Sequence, residues 1–156
     1  MPVFADEAPL PPPPQVRIER LEESFERPLP PSFVAFVRAH NGARLANPEL
    51  PPAYDGKVIE RFLPIVSDPA VDPHGWADIA VVASQLDARL APSEDSRGFE
   101  LVPFAALFGG DFLVLDYRGD RREPAVSIWY HETSEEFAPD VRRIAESFDE
   151  FLAQID

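Results

Sequence analysis

Two aspartates, Asp111 and Asp116, follow the pair Gly109-Gly110 and make the nearest approach to an acid–base constellation in the chain. Paired carboxylates divide acid and base roles when both face one site. A regular strand defeats that arrangement, because successive side chains alternate and positions an odd number apart lie on opposite faces. Only a bulge between them would reunite the two groups. The expectation is therefore structural: Gly109-Gly110-Asp111 turns the chain into a strand, and Asp116 caps its exit. Gly-Gly-Asp is also a poor phosphate cradle, since it lacks G-x-G-x-x-G and adds like charge. His40, His74 and His131 are scattered, without the short regular spacing on one element that a zinc or iron site uses. The chain has no Cys, which excludes thiol catalysis, Cys-based zinc sites and disulfides. No Ser sits in a G-x-S-x-G elbow. No catalytic residue, no metal ion and no cofactor is expected.

These residues must be held by elements written elsewhere in the chain. Pro2, Pro9 and Pro11 to Pro14 mark residues 1–14 as a flexible, extended, proline-rich arm, better suited to a spacer than to a core. Residues 15–156 read as one domain. At 156 residues the chain is near the commonest domain size, and it has 12 Phe to build a core. Ile18, Leu21 and Phe25 follow helical steps, and Pro28 must lie beyond that helix. Pro30 and Pro31 pre-set a second helix, with Phe33, Phe36, Val37 and His40 on one face and Asn41-Gly42 as its stop. This hairpin carries no basic reading face, so DNA recognition is not expected.

Val58 to Val66 reads as a strand that Pro64 confines to an edge or a bulge. Asp78 to Leu90 fits either a helix face or a short strand at Ile79–Val82, and its length favours helix. Phe99–Phe104, Phe112–Tyr117 and Ala125–His131 form a meander joined by turns at 105–110 and 118–124. A final helix is expected from about Pro139 to near Ile155, with Val141, Ile144, Phe148, Phe151 and Leu152 on its apolar stripe. The class is α+β: an N-terminal helical hairpin and a C-terminal helix packed on a mostly antiparallel sheet of about 4–6 strands.

Charge bounds the partners. The chain holds 28 acids and 14 bases for a net charge of −14, with 12 acids and 7 bases in residues 1–78 and 16 acids and 7 bases in residues 79–156. Such a field repels nucleic acid and anionic membrane and attracts a basic partner, although it also serves solubility alone. Met1–Leu10 has no basic n-region and no apolar h-region, and no apolar run approaches a membrane span. The expected address is the cytoplasm.

The ordered series of these segments resembles the SUKH superfamily (Smi/Knr type). Its carriers are Leu29-Pro30-Pro31-Ser32-Phe33, Phe36-Val37, Asn41-Gly42, Phe62-Leu63-Pro64-Ile65 and Leu101-Val102-Pro103-Phe104-Ala105. Gly110-Asp111-Phe112, Leu115-Asp116-Tyr117, Val126, Trp129, His131-Glu132 and Ser147-Phe148-Asp149-Glu150-Phe151-Leu152 complete it. The resemblance implies an α+β fold with N-terminal helices and a closing C-terminal helix. It implies either an immunity protein that binds and neutralises a toxin, often a nuclease, or a cell-wall regulator acting through protein partners. It also implies that the motif residues Pro30, Phe36, Asn41, Gly42, Pro64, Gly110, Asp111, Asp116, Trp129, Phe148 and Phe151 are structural.

The expected function is thus non-catalytic binding of a basic protein, a toxin domain, through an acidic surface, with a regulatory or scaffold domain as the alternative and an enzyme of unrecognised class as a distant third. Candidate contacts are the loop acids Asp68, Asp72, Glu94, Asp95, Asp120, Glu132, Glu135 and Glu136, with Trp76 as an aromatic anchor. Taken singly, each acid reads more as a solvated surface charge than as a contact.

Overall fold

The computed structural model describes residues 2–5, 10–96, 98–119 and 121–155. Ile18, Leu21 and Phe25 are buried along one side of α1 (Gln15–Phe25), which ends where Glu26 turns left-handed at φ 54° and its N–H donates back to Glu23 O. Proline occupies the first turn of α2 (Pro31–His40), where a missing N–H costs nothing. Gly42, at φ +70°, lets the chain leave that helix and cross Pro64 at close range, a step any Cβ would crowd.

Five strands follow in one sheet of order β1-β2-β3-β4-β5, every neighbouring pair antiparallel: β1 (Ile59–Phe62), β2 (Leu101–Leu107), β3 (Phe112–Asp116), β4 (Ala125–Trp129) and β5 (Val141–Ala145). Between β1 and β2 lie α3 (Ile79–Gln85) and the short α4 (Asp87–Leu90), and α5 (Phe148–Gln154) closes the described chain. The architecture is α+β.

Alternation divides the sheet side chains between two clusters. Phe104, Leu113, Leu115, Val126 and Ile128 face the helical hairpin and α5, and Phe104 sits within ring distance of Phe33, Phe148 and Phe151 at 5.9, 5.6 and 5.7 Å. Each fully buried ring of this kind contributes on the order of 1.5–3 kcal/mol by burial, with a further increment from edge-to-face contact. Leu101, Val114 and Trp129 point the other way and form a smaller cluster with Leu90 of α4. The central strands are buried on both faces for this reason.

Three boundaries differ from the sequence expectation. The single C-terminal helix is instead β5 followed by α5. Val141 pairs with Trp129 and Arg142 with Ile128, so strand pairing on β4 overrides the helical spacing of the apolar residues. Ser147 then caps α5 by accepting from Glu150 N at 3.1 Å. The first strand stops at Phe62, because Pro64 cannot continue the ladder. β2 runs on to Leu107 through a register shift between Pro103 and Ala105, which moves the turn to residues 108–111. The described part of the arm is not a detached spacer: Phe4 pairs with Leu45 and Asn41 Nδ2 donates to Pro11 O at 2.8 Å.

Candidate functional site

Asp116, with 0% of its surface exposed, accepts from Arg118 Nε and Nη2 at 2.9 and 2.8 Å, from Arg118 N at 3.1 Å and from Ser127 Oγ at 2.7 Å. Burial pushes its carboxyl up, but the hydrogen bonds from Arg118 and Ser127 outweigh burial and hold it below the ordinary value. Asp111 lies in the β2–β3 turn. Lys57 Nζ reaches its Oδ2 at 2.6 Å, while His131 N and Nδ1 lie 2.9 and 2.6 Å from its Oδ1. Here too burial raises, and the bonds from Lys57 and His131 win. The two aspartates share no partner, and each is ionised and saturated.

The His131 imidazole, set by a buried carboxylate, is two-thirds of a triad in outline. The nearby hydroxyl of Thr133 is committed elsewhere, donating to Asp140 Oδ2 at 2.6 Å. Gly110, at φ +102°, makes the stacking of this ring possible, since a Cβ there would lie 3.1 Å from it. The cluster borders a cleft of about 240 Å³ with Tyr130 and Glu132, and Tyr130 OH donates to Asp55 Oδ2 at 2.6 Å. Lys57 precedes β1, Asp111 precedes β3 and His131 follows β4, so the cluster ties three loops together at one end of the sheet. Sequence reasoning missed it. The strand register carried the signal, because pairing Phe112 with Trp129 brings Asp111 beside the residues after β4.

The β4–β5 connection, residues 130–140, is clamped from beneath by Arg89 of α4. Its guanidinium donates to Ser134 O at 3.1 Å and to His131 O, and lies 5.0 Å from the Trp129 ring centroid. Phe137 N donates to Ala88 O at 2.7 Å and Asp140 N to Ser134 Oγ at 2.8 Å. These bonds fix the backbone and leave Glu132, Glu135 and Glu136 exposed on its outer side. The structure therefore brings three of the expected acids onto one ordered loop.

The other expected contacts lie elsewhere. Asp68 and Asp72 fold their own loop, accepting from Ala70 N at 3.0 Å and His74 N at 2.8 Å. Trp76 follows on the same loop, 65% exposed, with Arg61 5.6 Å from its ring beside a second cleft floored by Leu63, Leu86 and Phe112. Glu94 and Asp95 are exposed in the loop after α4, and Asp120 lies outside the described residues. Pro30 caps α2, and Phe36, Phe148 and Phe151 are in the main core. Trp129 anchors the second cluster, and Pro64 is buried just past β1. Asn41, 1% exposed, bridges Ile65 N and O at 2.9 Å each.

A further buried ion pair was not anticipated. Asp78, 0% exposed, caps α3 through Ala80 N at 2.8 Å, accepts from Val66 N at 2.9 Å and takes Arg17 Nη2 of α1 at 2.9 Å. Among the described residues no group of three or more His, Asp or Glu is placed to hold a metal ion. No described helix is long and apolar enough to cross a membrane.

The model of the SMI1 / KNR4 family (SUKH-1) matches residues 12–154. The chain belongs to that family. The match takes in the domain from the last prolines of the arm to α5, and so includes every SUKH motif residue named above. No curated protein and no solved structure matches this SUKH-1 chain.

Proposed function

We propose that this SUKH-1 domain is a non-catalytic protein-binding module of the immunity type, acting in the cytoplasm to neutralise a basic toxin domain, a nuclease by the logic of charge. Family membership supports a protein partner, and the observation that carries the reading is the Arg89-clamped loop with Glu132, Glu135 and Glu136 on its outer side. A pre-ordered backbone loses little conformational freedom on binding, and its carboxylates compete for the cationic cleft in which a nuclease holds phosphate. The saturated state of Asp111 and Asp116 and the commitment of Thr133 to Asp140 support a role without bond-making. The net charge of −14 argues against nucleic acid as the direct ligand.

Affinity capture from the native extract at two salt concentrations tests this. The expected result is a basic polypeptide that is toxic when expressed alone, is silenced by this domain, and associates more slowly as salt rises. A captured partner without toxicity moves the domain to the regulatory or scaffold reading. A salt-independent association rate removes the electrostatic argument.

A further inference from the structure

The edge of β1 is not the outermost layer of the sheet. Residues 43–50 run along it, with Phe62 N donating to Ala43 O at 2.9 Å, Ile59 N to Pro48 O at 2.8 Å and Leu50 N to Lys57 O at 3.0 Å. On the far side of that segment lies the start of the arm. Ala46 N donates to Val3 O at 2.9 Å, Ala5 N donates to Arg44 O at 2.8 Å, and Phe4 pairs antiparallel with Leu45. Phe4 stacks on His40 with centroids 3.9 Å apart and planes at 18°, and meets Phe36 at 5.9 Å. Val3, by contrast, is 73% exposed.

Residues 3–5 are thus held by main-chain bonds that any extended segment can make, plus the Phe4 ring in one socket. That is the logic of strand addition, where the backbone gives affinity and alternate side chains give specificity. Two main-chain hydrogen bonds hold residues 3–5 to 44–46, and segments held by few bonds open at the low end of the stability range. An aromatic ring on extended backbone is what this edge holds.

We propose that the Arg44–Ala46 edge with its Phe36/His40 socket is a strand-accepting docking site, occupied in cis by Val3–Ala5 and open to exchange for a partner's extended segment bearing an aromatic residue. This surface is independent of the acidic loop. The probe is the peptide of residues 2–7, read through the amide shifts of Arg44, Leu45 and Ala46 in the full chain. The Phe4→Ala chain is expected to bind it about tenfold more tightly than the wild type, because a tethered competitor at an effective concentration on the order of mM has been weakened. The same peptide with alanine at the Phe4 position is expected not to bind. A folded Phe4→Ala chain that binds neither peptide, or both equally, overturns the proposal. Hydrogen exchange on the wild type supplies a second reading: the Ala46 amide exchanges faster than the Phe62 amide and is protected by excess peptide. Equal protection of the two without peptide also overturns it.

Discussion

Asp78 and Asp116, both 0% exposed, accept three and four hydrogen bonds respectively, whereas Glu132, Glu135 and Glu136 stand in solvent on a loop tied down through its backbone. In the interior the carboxylate is the fastener: it draws α1, the segment after β1 and the start of α3 together, and it straps the turn after β3. On the loop the main fastening is done by Arg89, and these three glutamates are left to solvent. Charge count alone therefore does not locate a binding surface. Acids that hold the fold and acids that can meet a partner are separated by whether their bonds are already made.

Asp78→Ala tests the interior side of that contrast most severely. Arg17, whose side chain is 10% exposed, would lose its counter-charge, and α3 its cap. The expected loss is about 3–5 kcal/mol, read by urea unfolding. A loss below about 1 kcal/mol, the scale of a surface pair, would break the comparison.

Asp116 gives the next effect and a pH signature. Its folded pKa lies below the ordinary carboxylate value, so the unfolded chain binds the extra proton. That contribution is fully present above the unfolded pKa of about 3.9 and is lost as pH falls through the folded value. Asp116→Asn is expected to cost about 1–3 kcal/mol near neutral pH. It should also flatten the acid limb of the stability profile. An unchanged acid limb would remove Asp116 from the account.

The smallest effect on stability belongs to the loop. Glu132→Gln, Glu135→Gln and Glu136→Gln combined are expected to shift unfolding by no more than about 0.5 kcal/mol. The same triple change is expected to slow association with the basic partner by about tenfold at low salt, with the difference fading at high salt. Marked destabilisation would place these glutamates with the fasteners instead.

Much of the scaffold was legible because local chemistry and global packing agree there. Pro31 opens α2, Gly42 ends it, and the runs at 112–116 and 125–129 are apolar on both faces because both faces are covered. The C-terminal segment misled, since Val141, Ile144 and Phe148 sit at helical spacing while the edge of β4 recruits Val141–Ala145 as a strand. The Ser147-x-x-Glu150 capping signal marks the true helix start. Of the candidate contacts, proximity was the illegible part. Nothing local to Asp111 announces Lys57 or His131, and nothing in Arg89 announces a clamp on residues 45 positions away. Such meetings are set by strand register and tertiary packing.

The two tryptophans differ as the two classes of acid do. Trp129 is 0% exposed, with Nε1 donating to Arg89 O at 3.2 Å beneath the clamp, whereas Trp76 is 65% exposed. One indole must emit toward the blue and resist a dissolved quencher, and the other must emit toward the red and yield to it. The chain therefore carries its own pair of optical reporters: the shielded one records the integrity of the loop's foundation, and the open one records what settles on the surface around Trp76.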